Sequence, residues 1–276
     1  MKLTAPAKLN LSLEVRGKRG DGFHEIESLM VPVSLSDSLD IEPGGEGISF
    51  TCSDTSLPVD DTNLVVRAAK LFFERQKIPA AVKIHLEKKI PHGAGLGGGS
   101  SDAATTLIAL DAVFETKLAA ESLSDMAAEI GSDIPFFIYQ SAGVCRGRGE
   151  IVTPVEFRHR LPLLLLKPSF GVPTPWAYKM WRDSKELPGV SYAGQDFLWG
   201  RLVNDLERPV FEKYLFLAVL KRWLLGQPEA AGALMSGSGS TTFAVLRDGA
   251  DAEALALRAR ERFGDLWTCA CVTAAT

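Results

Sequence analysis

From Val82 to Leu86 apolar residues alternate with Lys83 and His85, and Glu87 continues the polar set, the period of two that marks a strand with one buried face. Beyond position 102 the period changes. Ala103, Ala104, Leu107, Ile108, Ala109, Leu110, Ala112 and Val113 combine strong helix formers with an apolar stripe, and no proline interrupts them. Residues 105–126 read as helical throughout, with helical pattern as far as Ile130 and an apolar segment over 134–139. The remainder predicts a buried strand over 161–167, a proline-rich bend at 168–175, and helices near 176–184 and 207–225. Strands at 232–235 and 241–246, a helix over 252–263 and a strand-like segment at 266–272 complete the pattern. Strands and helices mix within each half. This predicts an α+β fold, with an N-terminal domain of residues 1–155 and a C-terminal domain of residues 156–276.

Between the strand and the helix lies Pro91-His92-Gly93-Ala94-Gly95-Leu96-Gly97-Gly98-Gly99-Ser100-Ser101. Glycines remove the Cβ that would hold an anion away from the chain and permit positive φ, so successive N–H groups can converge on phosphate oxygens. The helix start adds unpaired donors and the positive end of its dipole. Ser100, Ser101 and Asp102 also sit where N-cap residues belong, so a tight, capped turn without ligand is the alternative. Gly93-Ala-Gly95-Leu-Gly-Gly98 satisfies G-x-G-x-x-G, but a dinucleotide fold needs a second strand ending in an acidic residue about twenty positions on, where this chain reads as helix. A Walker A loop needs lysine where Gly99 stands.

The stretch closely resembles the central motif of the GHMP kinases, the superfamily of galactokinase and the homoserine, mevalonate and phosphomevalonate kinases. Ala5-Pro-Ala-Lys-Leu-Asn-Leu-Ser12 is similar to the family's first motif, and Met235-Ser-Gly-Ser-Gly-Ser-Thr241 to its third, so three motifs in order span nearly the whole chain. The resemblance implies a two-domain fold with the active site in the cleft between domains, and ATP with Mg²⁺ as phosphoryl donor. It assigns residues 91–101 to ATP, with Asn63 near the adenine and Lys89 facing phosphate; Lys88 and Lys89 would equally suit a solvated strand end. Gly237, Ser238 and Gly239 would help close the site.

Finer features narrow the resemblance. Asp21-Gly-Phe-His-Glu-Ile26, Gly131-Ser-Asp-Ile-Pro135, Pro173-Thr-Pro-Trp-Ala-Tyr178 and Asn204-Asp-Leu-Glu207 are similar to the branch of the family that phosphorylates a tertiary hydroxyl of a cytidine diphosphate-linked polyol, in the non-mevalonate route to isoprenoids. By this likeness Lys8 and Asp133 are the catalytic pair. The chemistry suits them: an attacking alcohol must lose its proton, and the transferred phosphoryl group spreads charge that a cation stabilises. Alone, Asp133 would read as a helix N-cap and Lys8 as a solvated strand residue. Phe23 and Tyr178 match the aromatics on either side of the cytosine and His24 the group on its edge. Phe23 stands where the family more often has tyrosine, which keeps stacking but loses any hydroxyl bond. Asn10 and Thr174 match positions that contact the polyol or diphosphate. Kinases of other small alcohols would keep the glycine motifs without the aromatic–histidine pair. Asp102 brings a negative charge that repels ATP phosphates unless Mg²⁺ or a lysine offsets it. Arg146-Gly-Arg148-Gly is a phosphate contact or a solvated turn.

Composition changes this picture little. The 276 residues suffice for one large or two modest domains, and 30 Lys plus Arg against 34 Asp plus Glu leave a net charge of −4. No basic excess points to nucleic acid. The partners expected are small-molecule substrates, in a cytoplasmic monomer or homodimer. Cys52, Cys145, Cys269 and Cys271 form no C-x-x-C pair; Cys269 and Cys271 share a face of a strand-like segment, and free buried thiols rather than a metal site or disulfide are expected. No signal peptide or membrane span is expected, the run 161–166 being too short to cross a bilayer.

Overall fold

In the computed structural model, residues 1–274 are described. Strands β1 (Lys2–Asn10), β2 (Ser12–Lys18), β3 (His24–Pro43) and β4 (Gly47–Cys52) lead into helix α1 (Leu64–Gln76) and β5 (Ala81–Glu87). The glycine run follows, then α2 (Gly98–Val113), α3 (Ala120–Ile130) and α4 (Ile134–Ile138). Strands β6 (Ala142–Gly147), β7 (Ile151–Val155) and β8 (Pro162–Pro168) precede α5 (Thr174–Met180) and the short β9 (Gln195–Phe197) and β10 (Gly200–Asn204). Helices α6 (Glu207–Lys213) and α7 (Leu215–Leu225), strands β11 (Ala230–Met235) and β12 (Thr242–Leu246), α8 (Ala252–Phe263) and β13 (Leu266–Val272) complete the fold.

Two sheets result. The larger has nine strands, with β3 as its hub, pairing with β1, β2, β5 and β6; the smaller has the order β11-β12-β8-β13. Helices α1–α4 cover one face of the large sheet, where Phe72, Leu107, Leu110 and Phe136 are buried. The other face, through Leu9, Leu11 and Val31, meets the small sheet, and α7 and α8 cover the far side of that sheet. β8 shows how one sequence serves two cores: Leu163 and Leu165 point into the seam between sheets, Leu164 and Leu166 toward the helices. A strand buried on both faces has no polar alternation, hence its unbroken apolar run. Cys271 lies in the seam with Cys269 packed against it, and all four cysteines are free thiols.

Strands 195–204 belong to the second half of the chain, yet β10 pairs in parallel with β2 and extends the large sheet, with Val203 beside Ser12 and Asn204 beside Leu13. Two helical stretches are shorter than their periodicity suggests. Between α2 and α3 the Asp111 carboxylate accepts from Thr116 Oγ1 at 2.6 Å and the Leu118 amide at 2.8 Å, and Glu115 and Lys117 take positive φ. A side chain that bonds nearby backbone offers the chain an alternative to helix. The stretch 207–225 is likewise two helices, broken at Tyr214 with φ −111° and ψ 68°.

Helices α6 and α7 are joined by a buried ion pair: Lys221 Nζ donates to Glu207 Oε2 at 2.5 Å, and Glu207 Oε1 accepts from the Met235 amide at 3.0 Å. Burial raises the Glu207 pKa, against the pull of Lys221 and the amide. Lys221→Met strands the carboxylate without its cation and is expected to destabilise the fold by about 3–5 kcal/mol at pH 7. Because the raised pKa favours the neutral acid, that loss should shrink as pH falls and Glu207 takes up a proton, which urea unfolding at pH 5 and 7 would reveal.

Candidate active site

A register irregularity in β1 between Pro6 and Lys8 changes which alternate residues face which side. Ala5 packs with the helical layer, whereas Ala7 and Leu9 point into the seam between sheets. Lys8 and Asn10 therefore emerge together on the helical side. The Lys8 amide bonds the Leu96 carbonyl at 2.9 Å, tying the strand to the glycine run. Lys8 Nζ donates to Asn10 Oδ1 at 2.5 Å, Asn10 Nδ2 to Ser28 Oγ at 2.8 Å, and Ser28 Oγ to the Ser12 carbonyl at 2.6 Å. This chain fixes the carboxamide orientation so that oxygen faces the ammonium.

Asp133 opens α4, but its carboxylate makes no capping bond, and the side chain is 39% exposed against 4% for Lys8. Its Oδ2 lies 3.9 Å from Lys8 Nζ. Burial lowers the Lys8 pKa, and the Asp133 charge opposes that fall. The arrangement is a desolvated cation beside a carboxylate open to solvent.

The glycine run wraps against this pair. Gly93, Gly95 and Gly97 have φ of +62°, +75° and +71°. A Cβ on Gly95 would stand 2.4 Å from the Ser236 carbonyl oxygen, and one on Gly97 would stand 2.8 Å from Phe137 Cζ and 3.0 Å from Lys8 Cγ. The alternative of a turn capped by Ser100, Ser101 or Asp102 is not what the structure shows: α2 starts at Gly98, with Gly97 as an N-cap that offers no side-chain bond. Ser101 and Asp102 are buried within the helix instead. The first amides of α2 are consequently left to the cleft.

Lys88, rather than Lys89, turns inward. Its ammonium bridges Asp102 Oδ2, at 2.8 Å, and Asp37, while the Lys89 side chain is exposed and outside the cleft lining. Asp37 also accepts from the Lys89 and Ile90 amides at 2.5 and 2.8 Å, so one carboxylate grips the backbone that enters the glycine run. The lysine needed to offset Asp102 is thus present. Burial pushes the Asp102 carboxyl up to about 7 against the attraction of Lys88, and Asp37 adds to the rise. For Lys88 burial pulls downward, but the two carboxylates outweigh it and its pKa is raised. Asn63 caps α1, accepting from the Val65 amide at 2.9 Å, and lines the same cleft.

The His24 and Tyr178 rings stack with centroids 5.5 Å apart, and Trp181 meets His24 edge-on at 6.1 Å. Burial lowers the His24 pKa and Lys18 adds to this, keeping the imidazole neutral near pH 7. Phe23 is 50% exposed, with the Arg148 guanidinium 4.8 Å from its ring centre. Thr174 Oγ1 and Ser238 Oγ are hydrogen-bonded at 2.7 Å. Trp181 escaped the sequence reading, although its place three residues after Tyr178, one helical turn on, was a usable signal.

These groups share one cleft of about 1430 Å³. Lys8, Asn10, Phe23, His24, Asn63, Pro91 to Ser100, Asp133, Thr174, Tyr178, Gly237 and Ser238 all line it; Lys89, Ser101 and Gly239 do not. Gly239 acts from behind, its carbonyl oxygen 2.9 Å from where a Gly95 Cβ would stand.

Residues 63–141 match the GHMP kinases N terminal domain, and residues 195–265 the GHMP kinases C terminal domain. The chain is 42% identical to the 4-diphosphocytidyl-2-C-methyl-D-erythritol kinase of Methylacidiphilum infernorum (isolate V4), over 87% of this chain and 84% of the relative. It belongs to the GHMP kinase family. Within that family it is also 40% identical to the enzyme of the same name from Syntrophotalea carbinolica, over 94% of each. A crystal structure of 4-(cytidine 5'-diphospho)-2C-methyl-D-erythritol kinase superposes with a TM-score of 0.81 at 35% identity, covering 99% of this chain and 100% of the other. A homoserine kinase from Cytophaga hutchinsonii shares the fold, at TM-score 0.68 and 19% identity over 100% of this chain and 94% of that one. No helix among the described residues is long and apolar enough to cross a membrane.

The raised Asp102 pKa carries a signed consequence for this GHMP kinase. A carboxyl that prefers its neutral form when folded contributes stability that is lost as pH climbs from its ordinary 3.8 toward about 7. Asp102→Asn, neutral throughout, should gain stability relative to the native chain over that interval and hold a constant difference above it. Urea midpoints for both proteins at pH 5 and pH 8 measure the change.

Proposed function

We propose that this chain transfers the γ-phosphate of ATP to the 2-hydroxyl of 4-diphosphocytidyl-2-C-methyl-D-erythritol, a step in making isoprenoid precursors. The observation that carries the reading is that Lys8 and Asp133 line one cleft together with the glycine run and the Phe23–His24–Tyr178 group. The names of the relatives support the same substrate pair.

In this reading Asp133 accepts the proton of the attacking hydroxyl, and the buried Lys8 ammonium meets charge that develops on the transferred phosphoryl group. Low exposure makes Lys8 effective, because little water competes for its field. The amides at the start of α2 and the glycine backbone hold the phosphates. Phe23 and Tyr178 supply ring faces for cytosine, and neutral His24 a hydrogen-bonding edge. The loop also suits a Mg²⁺ that arrives with the nucleotide: Ser100 lines the cleft and Asp102 Oδ1 is buried without a partner, offering oxygen donors. When bound, that cation would neutralise phosphate charge.

ADP release with Mg²⁺ and ATP should respond to the cytidine compound and not to homoserine, mevalonate or galactose; turnover on one of those alcohols would refute the substrate assignment. Asp133→Ala should lower kcat by about 10²–10⁴-fold with ATP affinity nearly unchanged, and native-like turnover would remove Asp133 from the mechanism. Phe23→Ala should raise KM for the cytidine substrate by about ten-fold or more while KM for ATP stays put, since a stacked base contributes about 1–3 kcal/mol.

A further inference from the structure

The segment Asn204-Asp-Leu-Glu207 supplies no group to the cleft lining, yet each polar side chain in it binds backbone. Asn204 is 5% exposed. Its Nδ2 donates to two carbonyls of one turn, Met235 at 2.7 Å and Gly237 at 2.8 Å, and its Oδ1 accepts from the Leu206 amide at 2.9 Å. A primary carboxamide has two donor hydrogens, and both are spent on this turn. Glu207 secures the same turn from the strand side through the Met235 amide.

The other side of Asn204 is tied to β2 and the residue before it, directly after the strand that carries Lys8. The Val203 amide bonds the Leu11 carbonyl at 3.2 Å, the Asp205 amide bonds the Leu13 carbonyl at 2.9 Å, and Asp205 Oδ2 accepts from the Val15 amide at 2.8 Å. The backbone around Asn204 is therefore locked to residues 11–15, immediately after Lys8 and Asn10, while its side chain is locked to residues 235–237. One residue sets the distance between them.

What that distance controls is the space above the ammonium. Gly237 has φ +56°, and a Cβ placed there would stand 3.3 Å from both Lys8 Nζ and Asn10 Oδ1. The turn backbone is thus the wall that keeps the ammonium buried and directed. We infer that Asn204 is a positioning residue for phosphoryl transfer, its carboxamide holding the Met235–Gly237 backbone as the wall against which Lys8 is oriented. The inference rests on the proposed role of Lys8.

Asn204→Ala removes both donors and should lower kcat by about 10–100-fold, with KM for ATP and for 4-diphosphocytidyl-2-C-methyl-D-erythritol within about threefold of native. Gly237→Ala perturbs the same wall with Asn204 intact and should show the same split. Because both act through one turn, the double variant should lose little more than the worse single one. Circular dichroism and thermal unfolding establish that each protein is folded at the assay temperature. If Asn204→Ala does not fold, Asn204→Ser is assayed and read in the same way. A purely structural role predicts lower thermal stability with native kcat in the surviving folded enzyme. That result, a change confined to KM, or losses that multiply in the double variant would overturn the inference. Failure of the underlying reading is separately visible: the unsubstituted chain would not turn over the cytidine substrate, or Lys8→Met would retain native kcat.

Discussion

Taking the Lys8 ammonium out of water carries a penalty of several kcal/mol unless protein groups replace the lost hydration, and the surroundings of β1 follow from meeting that requirement. The Asn10 oxygen supplies a bond, Asp133 supplies opposite charge, and the glycine run and the third glycine turn exclude solvent from either side. The Asn10 carboxamide must in turn be held, which Ser28 does. A buried charge recruits a shell of neighbours whose orientation it dictates.

The two glycine segments approach each other backbone to backbone. Ser236 Oγ donates to the Gly95 carbonyl at 3.0 Å, the Thr241 amide to the Ala94 carbonyl at 3.2 Å, and Ser238 and Ser240 reach Thr174 and the Phe170 carbonyl. The serines that alternate with glycine in Met235-Ser-Gly-Ser-Gly-Ser-Thr241 thus bind two parts of the fold, the glycine run and the bend at 168–175. Glycine provides the closeness and serine the attachment.

Most of this architecture was legible in the chain. The strand at 82–86, the helix after the glycine run and the apolar β8 follow from periodicity, because burial imposes it. The motifs fall on much of the cleft lining but leave out Lys18, Met30, Leu57, Trp181 and Arg182. What escaped depended on contacts between distant residues. Whether Lys88 or Lys89 turns inward is decided by Asp37, more than fifty positions away in sequence. The alternative of a turn capped by Ser100 does not hold, since α2 begins before it with Gly97 as N-cap, packed against Phe137 and Lys8. The break after α2 hinges on an Asp111 side-chain bond that periodicity does not register.

The parallel pairing of β10 with β2 has a consequence for how the chain is made. Residues 12 and 13 leave the ribosome long before residues 203 and 204, which they pair with. The isolated bridge between Val33 and Thr273 stretches that separation further. During synthesis β2 therefore presents an open edge until the second half emerges, and contacts of such high sequence separation are slow to form. The first half cannot complete its sheet as an autonomous unit. Its cleft takes shape only once residues 203–237 have emerged, so a nascent chain stalled before them would hold the glycine run without the wall that closes over Lys8.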